Sequence, residues 1–290
     1  MKRVVFLHGR AQEGRDPNQL QQTWEAALAR GLKRAGKPSL NGVKIEFPYY
    51  GDRLKVLVDQ VNSPLISSIL LRGDDRVQTG HEALRAAMLA EMAAGKALPD
   101  SSIQKNYEGQ VVERGVQNWK WVQAILRTFD GTPTGARLLD LVTRDVSVYL
   151  SYGGLRSQVN RWVSDQVPAG ASVFVLHSLG TVVGYNVLRE RADVQVPLLV
   201  TVGSPLGMKS VQTYLDPPLV RPGKPDAWLN ARDPEDVVAL FPLDETHFPV
   251  NPEVENKSDI DNTTDNQHSI DGYLDDSAVA ARIYDSVMNM

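Results

Sequence analysis

Apolar positions along the chain follow two patterns, short apolar or alternating segments and longer segments with an apolar residue at about every fourth position. The short segments predict strands at 4–7, 43–47, 172–176, 197–202 and 227–230. The spaced pattern predicts helices between and after these strands. Strands and helices in alternation predict an α/β fold with a mostly parallel central sheet flanked by helices.

The first predicted helix has recognisable ends. Asp16 and Pro17 predict its N-cap and first turn, and Gly36 predicts its C-terminal stop. Its apolar face is formed by residues at spacings of four, namely Leu20, Trp24, Leu28 and Leu32. The last helix is predicted from about Asp276, with Val279, Ile283 and Val287 on one face.

Residues 52–143 do not continue the alternation and contain no convincing buried strand. Helical patterns in and after this segment lie at 56–71, 81–94, 118–129, 138–150 and 155–167. We therefore expect 52–143 to be a helical cap inserted into an α/β core of residues 1–51 and 144–290. The most apolar stretch, 63–71, is expected either to pack against the core, or to line an acyl pocket or contact a lipid surface.

Composition narrows the class of protein. A net charge of −4 over 290 residues argues against a general nucleic-acid binder, because no basic surplus neutralises phosphates. The chain has no cysteine, which excludes disulfides, thiol catalysis and thiolate metal sites. The apolar run at 4–7 is too short for a signal peptide or a membrane span, so a cytoplasmic location without an integral membrane segment is expected.

Ser178 stands at the end of an apolar run, and an apolar segment with helical spacing follows it. Gly180 and Gly184 are small residues at the start of that segment. This order is typical of a nucleophile elbow, the tight strand-to-helix turn that exposes a serine oxygen at the edge of a parallel sheet. The pattern therefore predicts a nucleophilic serine.

A serine hydroxyl needs a base that removes its proton, and five histidines are available. His268 is the predicted base, because it lies late in the chain just before the final predicted helix. His247 is the alternative. His177 is a poor candidate, because the side chain before an elbow serine points away from the serine side chain.

The base needs a carboxylate that orients it, and an acidic cluster follows the strand predicted at 227–230. Asp236 is the predicted acid, because the valines after it can anchor the loop in the core. Asp233 is the alternative, although the proline after it commonly opens a turn.

An oxyanion hole is predicted at the same edge of the sheet. The amide of Leu179 is one expected donor, and the amide of Arg10 or Ala11 is the other. His8 and Gly9 precede this second amide, and Gly9 lets the backbone approach a substrate. The alternative interpretation of His8 and Gly9 is an ordinary turn that ends a strand.

Taken together, these motifs resemble those of α/β-hydrolases of the lipase and esterase type. The resemblance covers residues 1 to about 50 and about 145 to 290, and it leaves the insertion unassigned. It implies Ser178 as nucleophile, Asp236 as acid and His268 as base, with Gly180 in a supporting position. The similar segments are the oxyanion loop at 6–9, the elbow at 177–180, a strand-end motif at 201–207 and an acid-bearing loop at 228–239.

The elbow departs from that family at one position. The family normally has glycine two residues before the serine, where this chain has Leu176. Gly180 and Gly184 are expected to give the relief that this glycine usually provides. Ser204, the other serine in a motif, is interpreted as a strand-end or supporting residue.

These residues predict hydrolysis of a carboxylic ester, of a lipid or other acyl compound, through an acyl-enzyme on Ser178. No cofactor or metal is expected, and the spacing of the acidic loop at 259–276 fits no EF-hand calcium loop. Peripheral membrane contact through the cap is compatible with its apolar stretch. The alternatives are an amidase or peptidase, and a non-catalytic α/β-hydrolase-like protein that binds a ligand or partner.

Overall fold

The computed structural model describes residues 2–10, 12–61, 80–107, 124–128, 133–264 and 266–290. The chain divides into two compact units. The sheet unit comprises Met1–Leu54, Gln158–Gly207 and Asp216–Met290, and the helical unit comprises Lys55–Ser157 and Met208–Leu215. The interpretation of residues 52–143 as a cap stays a prediction.

The sheet unit is built on a six-stranded, fully parallel sheet. In chain order the strands are β1 (Arg3–Leu7), β2 (Lys44–Glu46), β3 (Gly170–Ala171), β4 (Val173–His177), β5 (Val194–Gln195), β6 (Leu198–Val202), β7 (Ala227–Ala231) and β8 (Glu255–Lys257). The six-stranded sheet has the order β2-β1-β4-β6-β7-β8, while β3 and β5 form a separate parallel pair. Register is set centrally by Val4 opposite Val173 and by Val175 opposite Val200.

Helices connect and follow these strands. They are α1 (Pro17–Arg34), α2 (Gly51–Gln60), α3 (His81–Gly95), α4 (Asp100–Lys105), α5 (Pro133–Ser151), α6 (Gly153–Gln166), α7 (Leu179–Glu190), α8 (Lys209–Gln212), α9 (Ile270–Asp275) and α10 (Ser277–Met288). A 3₁₀ turn spans Pro205–Gly207, and residues 124–128 are also helical. The chain is therefore an α/β protein, as the alternating pattern predicts.

Both faces of the sheet are covered, because alternate strand residues point to opposite faces. On one face, α1 and α10 bury a cluster that includes Phe6, Val175 and Val200. On the other face, α7 lies against Leu176 of β4. A parallel sheet needs this double cover, since both of its faces are apolar.

The first helix begins and ends where the sequence predicts. Asp16 accepts a hydrogen bond from the amide of Asn18 at 2.8 Å, and Pro17 occupies the first turn. Gly36 has a φ of +65°, a left-handed conformation that glycine adopts without strain. The four apolar residues that the pattern places on one face are all buried, namely Leu20, Trp24, Leu28 and Leu32.

The strand order identifies one edge of the sheet as the place where a ligand is expected. The chain runs from β1 outward to β2 and then returns to the other side of β1 as β4. Such a reversal is the position where open α/β sheets bind ligands, beyond the carboxyl ends of the two strands. His8 directly follows β1 and Ser178 directly follows β4, so both lie at this edge.

Several elements differ from the sequence-based expectations, among them β8, α9 and α2. The polar edge strand β8 was not predicted, because Glu255–Lys257 contains no apolar residue. The short helix α9 separates His268 from α10, which is the final helix. The helix predicted at 56–71 begins earlier, at Gly51, and its continuation and the apolar stretch at 63–71 lie outside the described residues.

Within the helical unit, α3 packs against α5. Arg85 on α3 is buried and forms an ion pair with Asp140 on α5. Glu91 accepts hydrogen bonds from the amides of Lys209 and Ser210 at the start of α8, at 2.7 and 3.0 Å. Among the described residues between 52 and 143 there is no strand, and no described helix of the chain is long and apolar enough to cross a membrane.

Candidate active site

Ser178 occupies the turn between β4 and α7 in a strained conformation. Its φ is +55° and its ψ is −128°, and a positive φ is unusual for a residue other than glycine. Its amide donates to the carbonyl of Val202 on β6 at 3.1 Å, which ties the turn to the neighbouring strand. Strain of this kind costs about 1–3 kcal/mol and is concentrated at functional sites.

Glycines make the turn sterically feasible. A Cβ on Gly9 would lie 2.6 Å from the Cβ of Ser178, and one on Gly180 would lie 2.4 Å from the carbonyl oxygen of Leu7. A Cβ on Gly184 would lie 2.5 Å from Cδ1 of Leu176. Gly184 therefore gives room to the side chain of Leu176, and Gly180 gives room to the backbone after β1.

A chain of hydrogen bonds runs from Ser178 into the protein. Nε2 of His268 lies 2.8 Å from Oγ of Ser178, and Nδ1 of His268 lies 2.8 Å from Oδ2 of Asp236. The carboxylate is fixed further by the hydroxyl of Tyr273, which donates to Oδ2 at 2.6 Å, and by the amide of Val238, which donates to Oδ1 at 2.9 Å. All three members of the Ser178–His268–Asp236 chain are buried.

The surroundings of Asp236 favour its charged form. Burial alone would raise the pKa of the Asp236 carboxyl. The adjacent His268, together with hydrogen bonds from His268, Tyr273 and the Val238 amide, outweighs burial and holds this pKa below its usual value. Burial, and next the charge of the Asp236 carboxylate, raise the pKa of the Tyr273 hydroxyl. Asp236 is therefore an ionised acceptor at neutral pH.

The alternative acid and the alternative base have other hydrogen-bond partners. Asp233 accepts from the amides of Glu235 and Asn262 at 2.7 and 2.8 Å, so its carboxylate shapes the loops around it. His247 contacts Asp244, with Nδ1 2.8 Å from the carboxylate. The structure thus brings Asp236 and His268, rather than Asp233 and His247, into hydrogen-bond contact with the chain from Ser178.

The loop after β1 is held by a buried histidine. The amide of Tyr50 donates to Nε2 of His8 at 3.2 Å, so the proton of this ring is on Nδ1, which donates to the carbonyl of Gly9 at 2.6 Å. Burial lowers the pKa of His8 to about 4, against a smaller opposite effect of the Gly9 carbonyl. Because a trans peptide points its N–H opposite to its carbonyl, His8 also fixes the direction of the Arg10 amide.

The second predicted donor, the amide of Leu179, belongs to the first residue of α7. Amides in the first turn of a helix have no acceptor within the helix, and they point toward its N-terminal end. Gly9 packs against Ser178, so the loop that carries the Arg10 amide lies beside the serine. These two backbone groups are the ones that the sequence predicts for an oxyanion hole.

Three residues with contacts in this site were not identified from the sequence as part of it, namely His177 as a contact of His268, Tyr273 and Asn262. Two of them have a partner that is distant in sequence: Tyr273 contacts a residue 37 positions away, and His177 contacts one 91 positions away. The side chain of Asn262 contacts carbonyls only 5 and 7 positions away. The hydroxyl of Ser204 lies 2.8 Å from that of Thr181, and its role as a supporting residue stays a prediction. No local pattern would have revealed the contacts of Tyr273 and His177.

Comparisons with known proteins add no relative to this geometry. No protein-family model matches the chain, and neither the curated proteins nor the solved structures yield a match. Among the described residues, no group of three or more histidine, aspartate or glutamate side chains is arranged to hold a metal ion. Ser178 and its neighbours are therefore interpreted from their geometry alone.

Chemically, a serine–histidine–carboxylate chain can activate a hydroxyl. The imidazole removes the hydroxyl proton as the oxygen attacks an electrophile, and the carboxylate stabilises the resulting imidazolium. Backbone amides beside the hydroxyl can stabilise the negative charge that develops on the electrophile's oxygen. The 2.8 Å contacts on both sides of His268 lie within the range at which such proton transfers occur.

Proposed function

We propose that this protein is a serine hydrolase that cleaves a carboxylic ester through an acyl-enzyme. The observation that carries the proposal is the continuous hydrogen-bond chain from Ser178 through His268 to Asp236. The strained turn at Ser178 adds support, because strain at a nucleophile is a feature of elbow geometry.

In the first half of the reaction, His268 takes the proton of Ser178 while Oγ bonds to the ester carbonyl carbon. The amides of Arg10 and Leu179 donate to the oxyanion of the tetrahedral intermediate. The intermediate expels the alkoxide, which receives the proton from His268 and leaves as an alcohol. The acyl group then remains on Oγ as an ester.

In the second half, a water molecule gives a proton to His268 and attacks the acyl carbon. Collapse of the second intermediate breaks the bond to Oγ, which regains the proton from His268. A carboxylic acid is released and Ser178 is regenerated. Asp236 remains ionised throughout and stabilises the imidazolium form of His268.

The same features support membership of the α/β-hydrolase fold. The order nucleophile, acid, histidine along the chain is that of this fold, and the nucleophile follows a central parallel strand. Leu176, the departure from the family elbow, is compensated by Gly184. The room at Gly184 for Leu176 supports the hydrolase over the alternative of a non-catalytic binding protein.

The test is covalent labelling with a fluorophosphonate probe, with the modified residue located by mass spectrometry. We expect labelling of the native protein at Ser178, loss of labelling in Ser178→Ala, and retention in Ser204→Ala. Heat-denatured protein is the control for activation by the fold. Absence of labelling in the native protein, or unchanged labelling in Ser178→Ala, would overturn the proposal.

A panel of matched esters and amides tests the substrate class. We expect turnover of the esters, with acyl chains of increasing length to identify the preferred acid. Faster turnover of amides than of matched esters would replace the ester proposal with an amidase or peptidase, with the same residues in the same roles.

A further inference from the structure

The loop that carries His268 is held at consecutive backbone carbonyl groups. The side-chain amide of Asn262 donates to the carbonyls of Gln267 and Ser269 at 3.0 and 2.8 Å. The carbonyl between them, that of His268 itself, lies 2.9 Å from Nε2 of His177. A side chain earlier in the same loop thus holds the backbone on both sides of His268, and the distant His177 holds it at His268 itself.

His177 is built to donate this bond. Because its acceptor is a carbonyl oxygen, Nε2 of His177 carries the proton. Burial, and next the charge of a protonated His268, lower the pKa of His177 to about 3, which outweighs the opposite effects of the His268 carbonyl and Asp236. His177 is therefore neutral, and its ring centroid lies 4.8 Å from that of His268.

Gly203, in the strand-end motif after β6, leaves room for these two rings. A Cβ at this position would lie 3.2 Å from Nε2 of His177 and 3.2 Å from Cε1 of His268. Gly203 also has a φ of +56°, which disfavours any residue with a side chain. Because Gly203 has no side chain, the rings of His177 and His268 can lie next to this strand end.

Asn262 is itself fixed in place. Its amide donates to Oδ2 of Asp233 at 2.8 Å, and its side-chain oxygen accepts from the hydroxyl of Thr264 at 2.7 Å. A Cβ on Gly272 would lie 2.1 Å from Cγ of Asn262, so only glycine fits against this side chain. The carboxylate that was the alternative acid therefore supports the base through Asn262.

We propose that His177 and Asn262 are positioning residues that hold His268 at reacting distance from Ser178. The expected effect of these two residues on the reaction rate rests on the proposed function. His177 and Ser178 are adjacent, and their side chains point in opposite directions from the end of β4. Ser178 is thus placed as the nucleophile while its neighbour His177 holds the backbone of the base. A displacement of about 1 Å in such an array can cost about 100-fold in rate.

Substitutions at His177 test the proposal with matched donors. His177→Leu removes the donor, His177→Gln carries an amide near the position of Nε2, and His177→Asn carries one that is a methylene shorter. We expect kcat to fall about 10- to 100-fold in the leucine and asparagine variants, with KM within about twofold. The glutamine variant should recover most of the loss.

A spectroscopic measurement tests positioning without any substrate. The Nδ1 proton of His268, shared with Asp236, should give a far-downfield proton NMR resonance in the wild type. The titratable groups nearest to it are Asp236, Tyr273 and His177, and His8 in turn influences the charge of His177. The spectra are therefore compared at a pH where both His177 and His8 are neutral. We expect the resonance to persist in His177→Gln and to broaden or vanish in His177→Asn and His177→Leu.

Asn262→Leu, which keeps the shape of the side chain without its donors, should also broaden the resonance or make it vanish.

A wild-type kcat and a wild-type resonance in folded His177→Leu would overturn the inference. Equal losses of kcat and of the resonance in His177→Gln and His177→Asn would also overturn it. The effect would then be due to packing, because only the glutamine variant keeps a donor near the position of Nε2. If His177→Leu does not fold, the glutamine and asparagine pair decides the question. A wild type that does not react with fluorophosphonate would refute the proposed function and leave the resonance test valid.

Discussion

Tyr273 donates its hydroxyl to Oδ2 of Asp236 at 2.6 Å, and this is the same oxygen that accepts the bond from His268. The tyrosine oxygen also accepts from the amide of Asp233 at 3.3 Å. One carboxylate oxygen is therefore fixed by two donors, and the tyrosine connects it to the loop after β7. The orientation of His268 thus depends on a residue of helix α9.

Tyr273→Phe removes one of these donors and keeps the ring. A hydrogen bond to a charged group contributes about 1.5–3 kcal/mol, so we expect kcat to fall about 10-fold as Asp236 loses its fixed orientation. KM should change little, because the tyrosine bonds to the acid. Steady-state kinetics on an ester substrate measure both constants. Tyr284→Phe in α10 is the matched control, and equal kcat values for the two variants would refute the expectation.

Asp236→Asn and Asp233→Asn separate the acid from the residue that supports its loop. Asp236→Asn retains the shape but loses the charge that stabilises protonated His268, so kcat should fall by about 10⁴-fold. Asp233→Asn should reduce kcat by no more than about 10-fold, because its bonds are to the amides of Glu235 and Asn262. The two kcat values are measured side by side, and the reverse ranking would assign the acid to Asp233.

Ser178→Gly and Ser178→Ala should both abolish turnover but differ in stability. The backbone at Ser178 has a φ of +55°, which glycine adopts freely and alanine does not. We expect the glycine variant to be more stable than the alanine variant by about 1 kcal/mol, after the extra entropy of unfolded glycine is included. Denaturant unfolding at equal pH measures this difference, and equal stability would show that the turn is unstrained.

The two buried histidines make stability depend on pH. The pKa of His8 is lowered to about 4 and that of His177 to about 3, from an ordinary value of 6.5. Both contributions are fully present above pH 6.5, where the folded and unfolded states are equally neutral. As the pH falls below 6.5, only the unfolded state binds these protons, so the free energy of unfolding decreases.

The decrease should be about 1.4 kcal/mol per pH unit for each histidine. The contribution of His8 is lost by about pH 4 and that of His177 by about pH 3, where the folded protein also takes up the proton. Urea unfolding between pH 7 and pH 4 measures the slope. His177→Gln should reduce the slope by about half, and an unchanged slope would contradict the buried, neutral state of His177.

The order of elements and the members of the hydrogen-bond chain could be predicted because each has a local signal. An apolar run ends at Ser178, an acidic cluster follows β7, and one histidine precedes the last helices. β8 had no such signal: it is polar, and Asn256 in it is joined to β7 by a bond from Asn230 at 3.0 Å. Its pairing depends on a neighbouring strand rather than on its own pattern.

The supporting contacts could not be predicted for a related reason. His177 is recognisable only as the residue before the serine, and Asn262 only as part of a polar loop. Their hydrogen bonds form only when folding brings them to the carbonyls of the loop that carries His268. Chain order identifies which groups can react, while the support of those groups is a property of the folded backbone.

Because Ser178 and His177 are consecutive residues, a shift of the end of β4 carries the nucleophile and the support of the base together. We therefore expect motions of the outer strands to change the distance between Oγ of Ser178 and Nε2 of His268 little. Since β4 lies between β1 and β6 in the interior of the sheet, this part of the protein should be among the last to open. On heating, activity should therefore persist until the sheet itself separates, after the peripheral elements have already become accessible to proteases.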